Sequence, residues 1–152
     1  IKILILEDLM DSTTLYAYIQ FTGNDDFPLD VVTERLNIQP TRTWKVGDRV
    51  NKHTPLERFY TCWKYESEKL ETLDPEEVLR PILNVFKLKV DVINQLKEQL
   101  DLSVHIELVI IMENGDTPGL VIYPELSAFA AAINALIDID MYVNPFKGYE
   151  GE

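Results

Sequence analysis

A chain of 152 residues has the length of one compact domain, and residues 1–152 are read as one, with 1–13 an edge strand or extension and 144–152 a polar tail. Its 26 acidic against 14 basic side chains leave a net charge of −12, a field that repels phosphate backbones and anionic lipid and so excludes nucleic-acid and membrane partners as classes. With 46% apolar and 10% aromatic residues, the composition is that of a folding chain and not of an acidic disordered one.

Near the start, the apolar run Ile3 to Leu6 is cut by Glu7 and Asp8, too short for a signal-peptide core or a membrane span. The single cysteine, Cys62, closes no intramolecular disulfide and belongs to no CxxC pair, so the expected compartment is the cytoplasm. Residues 14–21 alternate strictly, with Leu15, Ala17, Ile19 and Phe21 on one side and Thr14, Tyr16, Tyr18 and Gln20 on the other, the pattern of a half-buried strand. After the turn residues Gly23-Asn24-Asp25-Asp26, Pro28 opens a short helix with Val31, Val32 and Leu36 as its apolar stripe. From Ile38 to Leu56 no period survives, which inside a compact domain marks a long functional or mobile loop. An aromatic-rich strand follows over 58–66. Its pattern leaves open whether Phe59, Trp63 and Tyr65 or Tyr60, Cys62 and Lys64 face outward.

Asp74-Pro75-Glu76-Glu77 combines an N-cap, a proline at the first helical position and a capping-box glutamate, opening a helix that buries Val78, Leu79, Ile82, Leu83 and Phe86. Pro81 lacks the N–H that would bond Glu77, so a kink or break is expected there, with a second helical segment over 88–100. Val104 to Met112 is β-branched and ends at Asn114-Gly115, a central strand. Pro124 to Leu136 spaces Leu126, Phe129, Ala130 and Ile133 as a helix. Ile137 to Val143 closes the fold as a strand with Ile139 and Met141 inward and Asp138, Asp140 and Tyr142 outward. The resulting fold class is α+β: a ferredoxin-like sandwich of two split β-α-β halves joined by a helical crossover, its sheet mainly antiparallel and its helices on one face. A doubly wound parallel sheet is the alternative, weakened by the lack of a GxGxxG pattern in the first β-α turn.

Several segments taken together carry a family resemblance. Leu36-Asn37-Ile38-Gln39-Pro40-Thr41-Arg42-Thr43-Trp44-Lys45-Val46-Gly47-Asp48, the strand Trp63 to Ser67, Pro118-Gly119-Leu120 and the ending Asp138-Ile139-Asp140-Met141-Tyr142 resemble a bacterial family known as domain of unknown function 4279. The strongest piece is Pro40-Thr41, an aromatic, then Gly47-Asp48. The resemblance implies a small bacterial cytoplasmic domain and brings no catalytic residues with it.

The residues themselves point to two places. Between Pro40 and Lys64, six cations (Arg42, Lys45, Arg49, Lys52, Arg58, Lys64) face only Asp48 and Glu57, so a basic segment sits in an acidic protein. Arg42 or Arg49 could hold a carboxylate or phosphate there beside Trp44. The same loop could instead be purely structural, with Trp44 tucked on a sheet edge and Gly47 supplying a turn. The second place is the outward sheet face, where period 2 puts Tyr16, Tyr18, His105, Glu107, Asp138, Asp140 and Tyr142 on one surface. Asp138 and Asp140 with Glu107 or His105 offer oxygen donors for a divalent cation, yet chance acidic pairs are common in this composition, and no metal ligand set is assigned. A Cys62–His105 nucleophile pair would need their strands to be neighbours.

The expectation is a non-enzymatic recognition module with no cofactor and no catalytic residue. Tyr16, Tyr18, Arg42, Trp44, Arg49, Trp63, His105, Asp140 and Tyr142 would contact a protein partner, basic in character, or a second copy of the chain. An antidote-like protein capping a basic toxin is the concrete version. The alternative is a small-molecule sensor or metal-dependent enzyme with a pocket between residues 40–57 and the sheet.

Overall fold

The computed structural model describes residues 12–147, so the edge strand expected at Ile1 to Leu6 and the last residues of the tail lie outside the described residues. The chain forms β1 (Thr14–Gly23), α1 (Leu29–Leu36), β2 (Arg42–Trp44), β3 (Thr61–Glu66), β4 (Leu70–Glu71), α2 (Glu76–Phe86), α3 (Val90–Leu100), β5 (Ser103–Met112), α4 (Pro124–Ala132) and β6 (Leu136–Val143). Five strands lie in the order β2-β3-β1-β5-β6, and β4 pairs with the start of β1. Among the described residues the architecture is α+β, a six-stranded, mostly antiparallel sheet with four helices, in which only the β5/β6 pair is parallel.

The alternation of β1 decides where the core sits. Leu15, Ala17, Ile19 and Phe21 are fully buried and share one cluster with Val104, Ile106, Leu108 and Ile110 of β5 and with buried residues of all four helices. One sheet face therefore carries the helices, and Tyr16, Tyr18 and Gln20 point to the other. β3 resolves the open alternative of the sequence: Trp63 and Tyr65 pack in the helix-side core, and Cys62 and Lys64 take the opposite face. Between its two stretches of pairing, β1 passes Ala17, whose N–H donates to Ser67 Oγ at 2.9 Å while Ser67 N–H donates to the Ala17 carbonyl at 2.8 Å. That exchange fills the gap where β3 ends and β4 has not begun.

Helix boundaries follow local chemistry. Asp74 Oδ1 accepts the Glu76 N–H at 3.1 Å, and Pro75 is already helical (φ −59°, ψ −24°), as the cap signature requires. Glu77 does not close a capping box; its carboxylate takes the Thr72 hydroxyl. Pro81 does not break the helix as expected. α2 runs through it, and the interruption falls at Lys87 to Lys89, with Leu88 88% exposed. Three helices stop at residues in the left-handed region: Asn37 (φ 54°), Asp101 (φ 53°) and Asn134 (φ 48°), and Asn134 ends α4 short of the expected Leu136.

Other expectations need correction. Val31 lies off the buried stripe of α1, and Met141, on the edge strand β6, is 57% exposed. β5 and β6, read as the strands of a second split unit, are direct parallel neighbours joined by α4. The described part of the polar tail is hydrogen-bonded to the end of β5 and the turn after it. Asn144 N–H donates to the Met112 carbonyl at 3.0 Å, and Lys147 N–H to Asn114 Oδ1 at 3.2 Å.

Candidate functional site

The loop expected over 38–56 has more structure than its sequence suggests. Arg42 to Trp44 add an edge strand to β3, Arg49 bridges Glu57, and Gly47 N–H reaches the Arg58 carbonyl at 2.7 Å. Lys45 to Asp48 make the turn, closed by Asp48 N–H to the Lys45 carbonyl, with Gly47 at φ 87°, a conformation a side chain would strain. The segment thus extends the sheet sideways and does not fold over it. A hollow of about 350 Å³ separates residues 39–45 from the start of α1, on the helix side.

Register builds the open face row by row. Lys64, Gln20 and His105 lie side by side with Arg42 beyond Lys64. Glu66, Tyr18, Glu107 and Asp138 form the next row, then Tyr16, Val109 and Asp140. Among the expected site residues, Tyr16, Tyr18, Arg42, Trp44, His105, Asp140 and Tyr142 share this face. Trp63 does not: it has no exposed surface, its Nε1 donates to Thr33 Oγ1 at 2.9 Å, and its ring meets Phe21 edge-on at 5.4 Å. Arg49 stands apart in the hairpin extension, exposed and bridged to Glu57.

At the β2/β3 end the face is cationic and aromatic. The Arg58 guanidinium lies 4.2 Å from the centroid of the Trp44 ring, Arg42 at 5.4 Å and the Lys64 ammonium at 5.5 Å. Lys64 also sits 3.9 Å from the Tyr18 centroid, and burial pulls its pKa down. Trp44 is 8% exposed, and its Nε1, like Arg58 Nε, is buried without a hydrogen-bond partner. Cys62 lies beneath these groups. Burial pushes its thiol up to about 12 despite three nearby cations, and it donates weakly to Gln20 Oε1 at 3.8 Å. With β1 between β3 and β5, Cys62 and His105 are not on neighbouring strands, and the nucleophile pair does not form.

At the β5/β6 end the face is acidic. Glu107, Asp138 and Asp140 place carboxylate oxygens within 4.8 Å of one another, an arrangement able to offer three ligands to a divalent cation. Glu107 is 7% exposed and hydrogen-bonds both Tyr18 and Asp140. Burial first, then the Asp140 hydrogen bond and charge, push it up to about 7, into the neutral range. Tyr16 and Tyr18 between the two ends both have raised pKa values, burial being the largest cause.

Arg58, Lys64, Glu107 and Asp138 belong to this face although the expected site omitted them. The signal for Glu107 and Asp138 was their period-2 phase. For Lys64 it was the unresolved phase of β3, and for Arg58 only tertiary packing could reveal it. The fold and face define a small α+β domain with a charge-polarised open sheet. Residues 13–144 match the family described as a domain of unknown function (DUF4279), and the chain belongs to that family. No curated protein and no solved structure matches the chain.

Proposed function

We propose that the protein is a bacterial, cytoplasmic, non-enzymatic recognition module of ferredoxin-like build, which binds a basic protein through the open sheet face in the manner of an antidote. Support for the ferredoxin-like build is the alternation β2-β3-β1-β5: β2 runs parallel to β1 with β3 between them, and β5 runs parallel to β3 with β1 between them. β6 is then an addition at one edge.

The observation that carries the binding reading is the acidic edge. β6 presents Asp138 and Asp140 beside Glu107, together with Leu136, Tyr142 and Val143 exposed at 58%, 56% and 70%. Residues 67–152 hold 16 acids against 6 bases, so this end of the sheet lies in the strongly negative half of the chain. Apolar and aromatic side chains interleaved with carboxylates on an edge strand suit a cationic partner segment, which gains steering from the field and area from Tyr142 and Leu136. No helix of the described residues is long and apolar enough to cross a membrane.

The test compares capture from native lysate by the wild type and by Asp138→Lys/Asp140→Lys, with the solution mass measured alongside. A basic protein retained by the wild type and lost by the double variant is the expected result. No enriched protein, together with a monomeric mass, refutes the reading.

A further inference from the structure

The cationic end of the sheet face lacks the counter-charge that its geometry calls for. Three cationic groups lie within 5.5 Å of one indole centroid, and among the described residues Arg42, Arg58 and Lys64 make no ion pair. One ring rewards a cation over its face, and Arg58 at 4.2 Å takes that place; the other two gain little from the ring and repel it and each other. Glu66 and Glu107 act on Lys64 only at a distance. Two donors in the same cluster, Trp44 Nε1 and Arg58 Nε, are buried without an acceptor, an arrangement that costs folding free energy unless something fills it.

The cluster also has a neighbour able to take the rest of a ligand. Tyr60 meets Trp44 edge-on at 5.6 Å, and on its other side lines a groove of about 600 Å³ together with Phe59, Gln20, Thr22, Ser103 and His105. Gln20 is the cross-strand neighbour of Lys64, so the groove begins one strand away from the ammonium. Its walls offer two amides (Gln20, Asn24), the Thr22 and Ser103 hydroxyls, an imidazole, two aromatic rings and the carboxylates of Asp25 and Asp101, a mixture that holds a ring-bearing organic group whose hydroxyl or amino groups donate to the acids. None of residues 40–57 lines it.

We infer that Arg42, Arg58, Lys64 and Trp44 form an anion subsite that binds the phosphate of a phosphorylated small molecule whose body lies in the groove over Gln20 and Tyr60. Charge selects phosphate over carboxylate. A dianion offsets more of the three positive charges and presents acceptors in several directions, toward the Arg42 and Arg58 forks, the Lys64 ammonium and the indole N–H. This inference does not rest on the protein-binding reading, because the acidic trio lies at the opposite end of the sheet.

The test is calorimetric titration of the full chain with inorganic phosphate and with phenyl phosphate, against sodium chloride at matched ionic strength. Both phosphates should bind, phenyl phosphate at least about tenfold tighter. Arg42→Gln and Lys64→Met should each weaken both by about tenfold or more. Gln20→Leu should reduce only the advantage of phenyl phosphate. Arg42 is exposed, so its variant folds and stays decisive even where Lys64→Met does not. Heats no different from those of chloride, or unchanged affinity in Arg42→Gln, overturn the subsite. Equal affinity for the two phosphates overturns the assignment of the groove to the ligand's body.

Discussion

Buried Glu107 should make the stability of this protein fall as pH rises from about 4.5 to about 7, and the substitution Glu107→Gln should remove that fall. The carboxyl is 7% exposed, hydrogen-bonded to Tyr18 and Asp140, and pushed from 4.5 up to about 7 by burial and then by its acidic neighbours. A raised carboxyl pKa means that the folded state prefers the protonated form. The associated stability is fully present below about pH 4.5 and is lost as pH climbs through about 7. At about 1.36 kcal/mol per unit the full rise corresponds to about 3 kcal/mol, and solvent at exposed Asp138 screens this to about 1–2 kcal/mol. Glutamine reproduces the protonated state, with an N–H to donate to Asp140 and a carbonyl to accept from the Tyr18 hydroxyl. Urea unfolding at pH 5, 6, 7 and 8 should show the wild type losing about 1–2 kcal/mol more than Glu107→Gln over that range, with the variant the more stable protein at pH 8. A variant less stable than the wild type at pH 8, or one with the same pH slope, refutes the placement of the proton.

Four further substitutions probe the frame around the site. Ser67→Ala leaves the Ala17 N–H without its 2.9 Å acceptor in the middle of the central strand and should cost about 1–3 kcal/mol by urea unfolding. Trp63→Ala empties the space under Phe21 and Phe86 and removes the indole donor to Thr33 Oγ1, which keeps its own bond to the Leu29 carbonyl, costing about 3–5 kcal/mol. Trp44→Ala, outside that core and freeing three crowded cations, should cost clearly less than Trp63→Ala; equal losses would show Trp44 to be an ordinary core residue. Pro81→Ala restores an amide that can bond the Glu77 carbonyl within a continuous helix and should raise thermal stability by about 1 kcal/mol or more.

Much of the fold was legible because its strands have two different sides. β1 alternates so strictly that its buried residues follow from the sequence, the β-branched run of β5 marks a central strand, and the Asp74-Pro75 signature starts α2 at its observed place. What stayed illegible has short elements or tertiary causes. β2 is three residues long, with no room for a period, and β4 is two. The phase of β3 could not be read because Tyr60, Cys62, Trp63 and Tyr65 suit either side; only packing against Phe86 sets it, and with it the removal of Trp63 from the face. At Pro81 the local penalty is outweighed by the five buried side chains that hold α2 together across it, a tertiary effect with no local signal.

The polarity of the open face has its origin in chain order. Residues 1–66 hold 10 acids and 8 bases, and residues 67–152 hold 16 and 6. β2 and β3 come from the first half and β5 and β6 from the second, with β1 between them, so an asymmetry along the chain becomes one across the sheet. Arg42 and Asp140 are four strand spacings apart, roughly 19 Å at about 4.8 Å each, about twice the screening length at physiological salt. Charges that far apart scarcely feel one another through solvent. Arg42→Gln should therefore leave the pH dependence set by Glu107 unchanged, and Glu107→Gln should leave phosphate affinity unchanged, their effects adding in the double variant. Coupling between the two would mean that the tyrosines of β1 carry strain from one end of the face to the other. Tyr18, between Lys64 and Glu107, is the side chain whose substitution by Phe would then abolish the coupling.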